Sequence, residues 1–252
     1  MNIQLIRNAT LHIDYAGTSF LIDPFLSEKG AQPAFQNAPR EDQNNPLVEL
    51  PVSVESVIDV DAVIVTHLHP DHWDQAAVDA LPKDIPLFAQ NEKDAEHIRH
   101  EGFTHVQVLQ KNSSFEGVQL AKTEGEHGRG DIVNTAGPVS GVVFNHPDEK
   151  TLYIAGDTVW NEYVKEEINK HQPDVIVVNG GDNQFNEGGS LVMGKEDIYE
   201  VYQSAPDAYI ISVHMEAVNH WTLSRQELKD YAEEKSFASR LAVPDDGQTY
   251  SL

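Results

Sequence analysis

Val63–Asp74 reads VIVTHLHPDHWD, and it puts three imidazoles and a carboxylate (His67, His69, Asp71, His72) within six residues, directly behind an apolar run. Residues 62–65 form an unbroken apolar, mostly β-branched run, the pattern of a strand buried on both faces. The run stops at Thr66, so the polar cluster begins where the strand ends. Loops at the carboxyl ends of strands are where α/β proteins place chemistry, because the sheet fixes the loop's base. His67 and His69 are two residues apart, and an extended backbone points both to one side. Pro70 keeps His69 extended. Asp71 and His72 then begin the turn into a helix over 74–81 and face another point. The spacing thus offers one cation two imidazoles and a second cation a carboxylate plus an imidazole. A solvated turn, the plainer alternative, leaves three crowded imidazoles unexplained.

Outward from this loop the pattern mixes strands and helices. Short strands are expected at 3–7, 11–15 and 19–22, then at 86–89 and 105–109, with a helix over 92–101 that ends at Gly102. Strands at 119–122, 139–145 and 151–155 follow, then 175–179 and 208–213, with helices at 161–171, 195–204 and 224–234. Residues 27–55 are rich in Pro, Asn, Gln and Gly and show no periodicity; such a loop is functional or disordered. A functional loop would cover the cleft, with Phe35 and Arg40 as contacts. No glycine-rich linker divides the chain, so residues 1–252 are expected to form one domain. Strand clusters separated by single helices suggest an αββα sandwich, two β-sheets face to face with helices outside.

Composition narrows the function. The 252 residues carry 17 Lys+Arg against 41 Asp+Glu, a formal charge of −24, and no cysteine. Disulfides, thiolate metal sites and cysteine nucleophiles are therefore excluded. The average surface field repels a polynucleotide or an anionic membrane, so neither is expected as a partner. The N-terminal sequence lacks the pattern of a secretion signal, and no apolar run is long enough to span a bilayer, which makes a cytoplasmic protein the expectation. A homo-oligomer stays open, since no coiled-coil heptads appear.

Three more candidate ligands sit at strand ends: His127 after 119–122, Asp157 after 151–155, and His214 closing AYIISVH. Together, His67-x-His69-x-Asp71-His72, His127, Gly156-Asp157 and His214 resemble the metallo-β-lactamase superfamily of binuclear hydrolases. RNATLHIDYAGTSFLIDPFL, GPVSGVVF and LYIAGDT look like the branch that includes bacterial L-ascorbate-6-phosphate lactonase. Many members carry Gly-His where this chain has Arg7-Asn8, so that histidine's role does not transfer. The resemblance implies two mixed sheets in an αββα sandwich. It also implies His67, His69 and His127 on one ion, Asp71, His72 and His214 on the other, and Asp157 bridging them. Nitrogen-rich ligands favour Zn2+, and the mixed carboxylate–imidazole set also admits Mn2+ or Fe2+.

Two neighbouring cations lower the pKa of a shared water and polarise the substrate. The expected reaction is attack by the resulting hydroxide on an ester, lactone, amide or phosphodiester of a small molecule. Asp71 would orient the nucleophile and accept its proton, and His220 could protonate a leaving group; a packing role beside Trp221 is its alternative. Asp23 is expected to orient a ligand histidine or to stabilise its own turn before Pro24. NGGDNQFNEGGSLVMG, assisted by the helix start at Lys195, could present backbone amides to an anion. Other functional readings are a non-catalytic metal-binding protein and a nucleic-acid phosphodiesterase, the latter disfavoured by the charge. His12, His97, His100, His105, His146 and His171 are treated as ordinary strand, helix or turn residues.

Overall fold

Alternating burial along β1 (Asn2–Arg7), β2 (Thr10–Tyr15) and β3 (Thr18–Ile22) turns one face of an antiparallel meander inward. The computed structural model describes every residue, Met1–Leu252. After α1 (Val54–Val57), β4 (Ala62–Val65) joins β3 in parallel, and α2 (Gln75–Ala80), β5 (Leu87–Ala89), α3 (Glu92–His100) and β6 (Val106–Val108) extend that sheet. The second sheet repeats the scheme. β7 (Ser113–Phe115), β8 (Val118–Glu124), β9 (Ser140–Asn145) and β10 (Leu152–Ile154) pair antiparallel, with α4 (Ile132–Ala136) inserted before β9. Past α5 (Glu162–His171), β11 (Val175–Asn179), α6 (Lys195–Ser204), β12 (Tyr209–Val213), α7 (Arg225–Glu234) and β13 (Leu241–Ala242) continue it in parallel. β14 (Thr249–Ser251) returns to pair with β1. The orders are β14-β1-β2-β3-β4-β5-β6 and β13-β12-β11-β10-β9-β8-β7.

The expected sandwich of two mixed sheets is what forms. Ile13, Phe20 and Ile64 of one sheet meet Leu120, Phe144 and Val177 of the other in a shared core. Phe20 and Phe144 stand edge to face with centroids 5.1 Å apart, an arrangement worth about 0.5–1.5 kcal/mol beyond its burial. Helices α2 and α3 cover one outer face, and α5, α6 and α7 the other. Parallel strands in each sheet bring their carboxyl ends to one edge, so Asp23, His67, Asp157 and His214 follow strand ends there and Asn179 closes one.

The sequence reading missed β7, β13 and β14, strands of two or three residues at or near sheet edges, too short to show a period. It also missed α1 and α4, which lie in stretches with no apolar stripe. Residues 27–55 are largely irregular but tied down. Arg7, fully buried, donates to the carbonyls of Phe25 (2.7 Å), Ser27 (2.8 Å) and Val48 (3.1 Å). Burial pushes its guanidinium down to about 10, so it is charged at neutral pH. Asn219 clamps the loop's far side through Phe35, Pro39 and Asn45. No helix is long and apolar enough to cross a membrane.

Candidate metal centre

Thr66 ends β4 by bonding Asp23 twice, backbone N–H to Oδ1 and Oγ1–H to Oδ2, each at 2.7 Å. Asp23 Oδ2 also accepts from His72 Nδ1 at 2.8 Å. The two roles expected of Asp23 are therefore one: it holds the turn and fixes a ring. With the proton on His72 Nδ1, the Nε2 lone pair faces inward. His127 Nδ1 donates to the Leu191 carbonyl at 3.0 Å with the same consequence.

All seven candidate ligands converge. His67, His69 and His127 form one group, Asp71, His72 and His214 another, and His67, His72 and Asp157 a third, with ligand atoms within 4.8 Å of one another in each. Asp157 sits between them. Its Oδ2 lies 3.2 Å from His72 Nε2, 3.6 Å from His127 Nε2 and 3.8 Å from His67 Nε2; its Oδ1 lies 3.6 Å from His214 Nε2.

These contacts ask for a cation. His72 Nε2 and His214 Nε2 are 3.1 Å apart, and His69 Nδ1 and His127 Nε2 are 3.3 Å apart. His67 Nε2 is buried with no hydrogen-bond partner. Lone pairs facing one another and a buried carboxylate repel unless positive charge lies between them. Protons can serve only in part. Burial and the neighbouring imidazoles of His72 and His69 push His67 well below the usual histidine range. His72 moves the other way: burial opposes its charge, but Asp157, Asp23 and Asp71 outweigh that. Burial would raise Asp71, yet His72 and His214 hold its carboxyl well below the usual range. The donor set is nitrogen and oxygen with no sulfur, which suits zinc, manganese or iron.

A cavity of about 100 Å³ opens on this cluster, lined by Phe35, Pro70, Phe185, Leu191 and His220 beside His69, Asp71, His127 and Asp157. Phe35 is thus a wall of the site. Arg40 is not: its guanidinium stacks 4.1 Å from the Trp221 ring and bonds the carbonyls of Asn219 and Trp221. The anion-binding idea for residues 179–194 fits poorly. Gly180 and Gly181 are needed for close packing, since a Cβ would fall 2.1 Å from Ser212 Oγ and 2.3 Å from the His214 carbonyl. The start of α6 already faces the Asp182 carboxylate, 3.2–3.4 Å from where a Gly194 Cβ would stand.

His220 lies between Phe35 (4.6 Å, edge to face) and Phe185 (5.9 Å, stacked), and its Nε2 meets Asn183 Nδ2 at 3.3 Å. Burial pushes its pKa down to about 4. The unfolded chain takes up this proton near 6.5 and the folded protein only near 4, so stability rises with pH across that window. Acidification from pH 6.5 to 4 should cost about 3 kcal/mol through this group. Thermal denaturation of His220→Gln against pH should show a flatter acid limb; an unchanged slope would show that His220 takes up its proton alike in both states.

Sequence reasoning missed Asn8, Asn179, Asn183, Phe185 and Leu191. Asn179 Nδ2 donates to Asp157 Oδ1 at 2.6 Å; its place at the end of β11 was the one available signal.

A family model for the Beta-lactamase superfamily domain matches residues 18–215. UPF0173 protein YddR of Bacillus subtilis (strain 168) is 58% identical, with all of both chains covered. Among solved structures, the isothiocyanate hydrolase from Delia radicum gut bacteria is 42% identical with a TM-score of 0.96, covering 100% of this chain and 99% of that one. A possible metal-dependent hydrolase from Veillonella parvula DSM 2008 is 38% identical with a TM-score of 0.97 over the same shares. With its strand ends gathering histidines and aspartates in this way, the chain belongs to the beta-lactamase superfamily and, within it, to the UPF0173 family of metal-dependent hydrolases.

Proposed function

We propose that residues 1–252 work as one hydrolase domain that opens a small, uncharged electrophile, with isothiocyanates as the first substrate class. His67, His69 and His127 would hold one divalent ion, Asp71, His72 and His214 another, and Asp157 would reach both. Bound there, the ions supply a water of lowered pKa and a positive field for the electrophile. The observation that carries the reading is the small aromatic cavity opening directly on the ligand cluster. It has room for a reacting group and a short apolar arm, and no Lys or Arg lines it to receive a phosphate. The 42% identical isothiocyanate hydrolase, matched over the full length, supports the substrate class.

Water attacks the central carbon of R–N=C=S, forming a C–O bond while the C=N π pair moves to nitrogen, which takes up a proton. In the resulting thiocarbamic acid the O–H proton passes to nitrogen, the freed pair makes C–O into C=O, and the C–N pair leaves with nitrogen, releasing an amine and carbonyl sulfide. Asp71 lines the cavity and would orient the attacking water; its carboxyl, held well below the usual range by His72 and His214 against its burial, accepts hydrogen bonds. His220 is neutral at pH 7. Asn183 Nδ2 donates to its Nε2, so the proton sits on Nδ1, an atom that is buried and without a partner. The His220 ring lines the cavity and would stand against the bound substrate as a neutral imidazole. Phe35 and Phe185 hold the arm and keep bulk water out.

Metal analysis of the purified protein and a hydrolysis screen test this together, each of Zn2+, Mn2+ and Fe2+ being supplied in turn. Methyl and 2-phenylethyl isothiocyanate should release amine, with lactones, esters, amides, thioesters and phosphodiesters as comparison. Turnover of a lactone but not of either isothiocyanate would return the protein to the lactonase-like reading.

A further inference from the structure

Position 8 touches both segments that carry the second ligand group. Asn8 follows β1 in the left-handed region (φ +57°), a conformation asparagine tolerates. Its carbonyl accepts the backbone N–H of His214 at 2.8 Å. Its amide Nδ2 donates to the Asp71 carbonyl at 3.0 Å and to Asp71 Oδ2 at 3.3 Å. The residue is fully buried, and its Oδ1 has no partner. Asp71 Oδ2 is also the oxygen that faces His214 Nε2 at 3.2 Å and His72 Nε2 at 3.9 Å. His214 is itself left-handed (φ +60°), a backbone state that a non-glycine residue keeps only when its surroundings impose it.

We propose that Asn8 is a positioning residue for the ion of the Asp71–His72–His214 group and has no hold on the His67–His69–His127 group. The inference rests on the reading that these residues bind ions. The two hydrogens of one NH2 group secure the main chain and the carboxylate of the same aspartate. A carboxylate free to turn about its last torsion presents either oxygen; this one is held with Oδ2 toward the imidazoles. The same residue's carbonyl holds His214 by its backbone. One residue, through its side chain and its carbonyl, therefore ties together two ligands that lie 143 positions apart in the sequence.

The test is metal binding rather than turnover. Asn8→Gly keeps the left-handed backbone accessible and the carbonyl on His214, and removes only the amide. Zn2+ affinities of wild type and variant are read by competition with a chromogenic chelator, and circular dichroism of the metal-free proteins reports the fold. One of the two Zn2+ equivalents should weaken by roughly 10–100-fold, the usual cost of losing a partner that orients a ligand, while the other keeps its wild-type affinity. Should Asn8→Gly fold poorly, Asn8→Ser, whose hydroxyl is too short to reach Asp71, should give the same one-ion loss. Two equivalents bound with wild-type affinity, or both weakened alike, would overturn the inference alone. A wild-type protein that takes up a single equivalent would overturn the two-ion reading and this inference with it.

Discussion

Asp157→Ala should lower hydrolytic turnover by on the order of 10³-fold or more, the factor that several kcal/mol of lost charge stabilisation corresponds to. Asp157 is the one side chain whose two oxygens face ligand nitrogens of both groups: Oδ2 toward His67, His72 and His127, Oδ1 toward His214. Burial works against its charge, yet His72 and His214 hold its carboxyl well below the usual range, so an anion is present at neutral pH. Without it the imidazoles lose their common counter-charge. The substitution also leaves Asn179 Nδ2 without its acceptor, a further cost of about 1–3 kcal/mol in stability. His67→Ala should cause a comparable loss of turnover, because its Nε2 belongs to two of the three ligand groups. Circular dichroism should show both variants folded, since neither side chain belongs to the hydrophobic clusters that join the layers. Wild-type rates in either purified variant would refute the proposed centre.

Removing the ions should be as visible in stability as in rate. A ligand that binds only the folded state, present at about 1,000 times its Kd, stabilises by about 4 kcal/mol. For a chain of this size each kcal/mol moves Tm by roughly 2–4 °C, so chelation should lower Tm by roughly 8–16 °C per ion. The physical source is the repulsion among buried lone pairs and carboxylates, which falls on the folded protein alone. Differential scanning calorimetry with chelator and then with added Zn2+ or Mn2+ reads the effect directly. A transition that neither chelator nor added ion moves would mean that no ion is bound in the centre. Ion affinity should also fall in acid, because the imidazoles must be deprotonated to act as ligands.

The amino-acid sequence by itself pointed to the candidate ligands and to the layered fold. The local signals were an apolar run that must be buried, a histidine spacing that extended backbone turns to one side, and strand ends that carry His127, Asp157 and His214; the grouping of the ligands came from resemblance to a superfamily. The sequence also excluded thiolate sites, since there is no cysteine to form one. Tertiary structure decided what surrounds those ligands. Asn8, Asn179 and Asn183 belong to residue types common in any turn, and even at the strand end of Asn179 the sequence does not say which group each will bond. Each acquires its role only when separate strand ends of one sheet bring it within 2.6–3.3 Å of Asp71, Asp157 or His220. The neutral state of His220 is likewise a product of packing, as the rings of Phe35 and Phe185 close over it from separate loops. Periodicity and spacing are carried by neighbouring residues, whereas burial, hydrogen-bond partners and pKa are properties of three-dimensional surroundings. That is why the chemistry of the centre was legible before folding and its tuning was not.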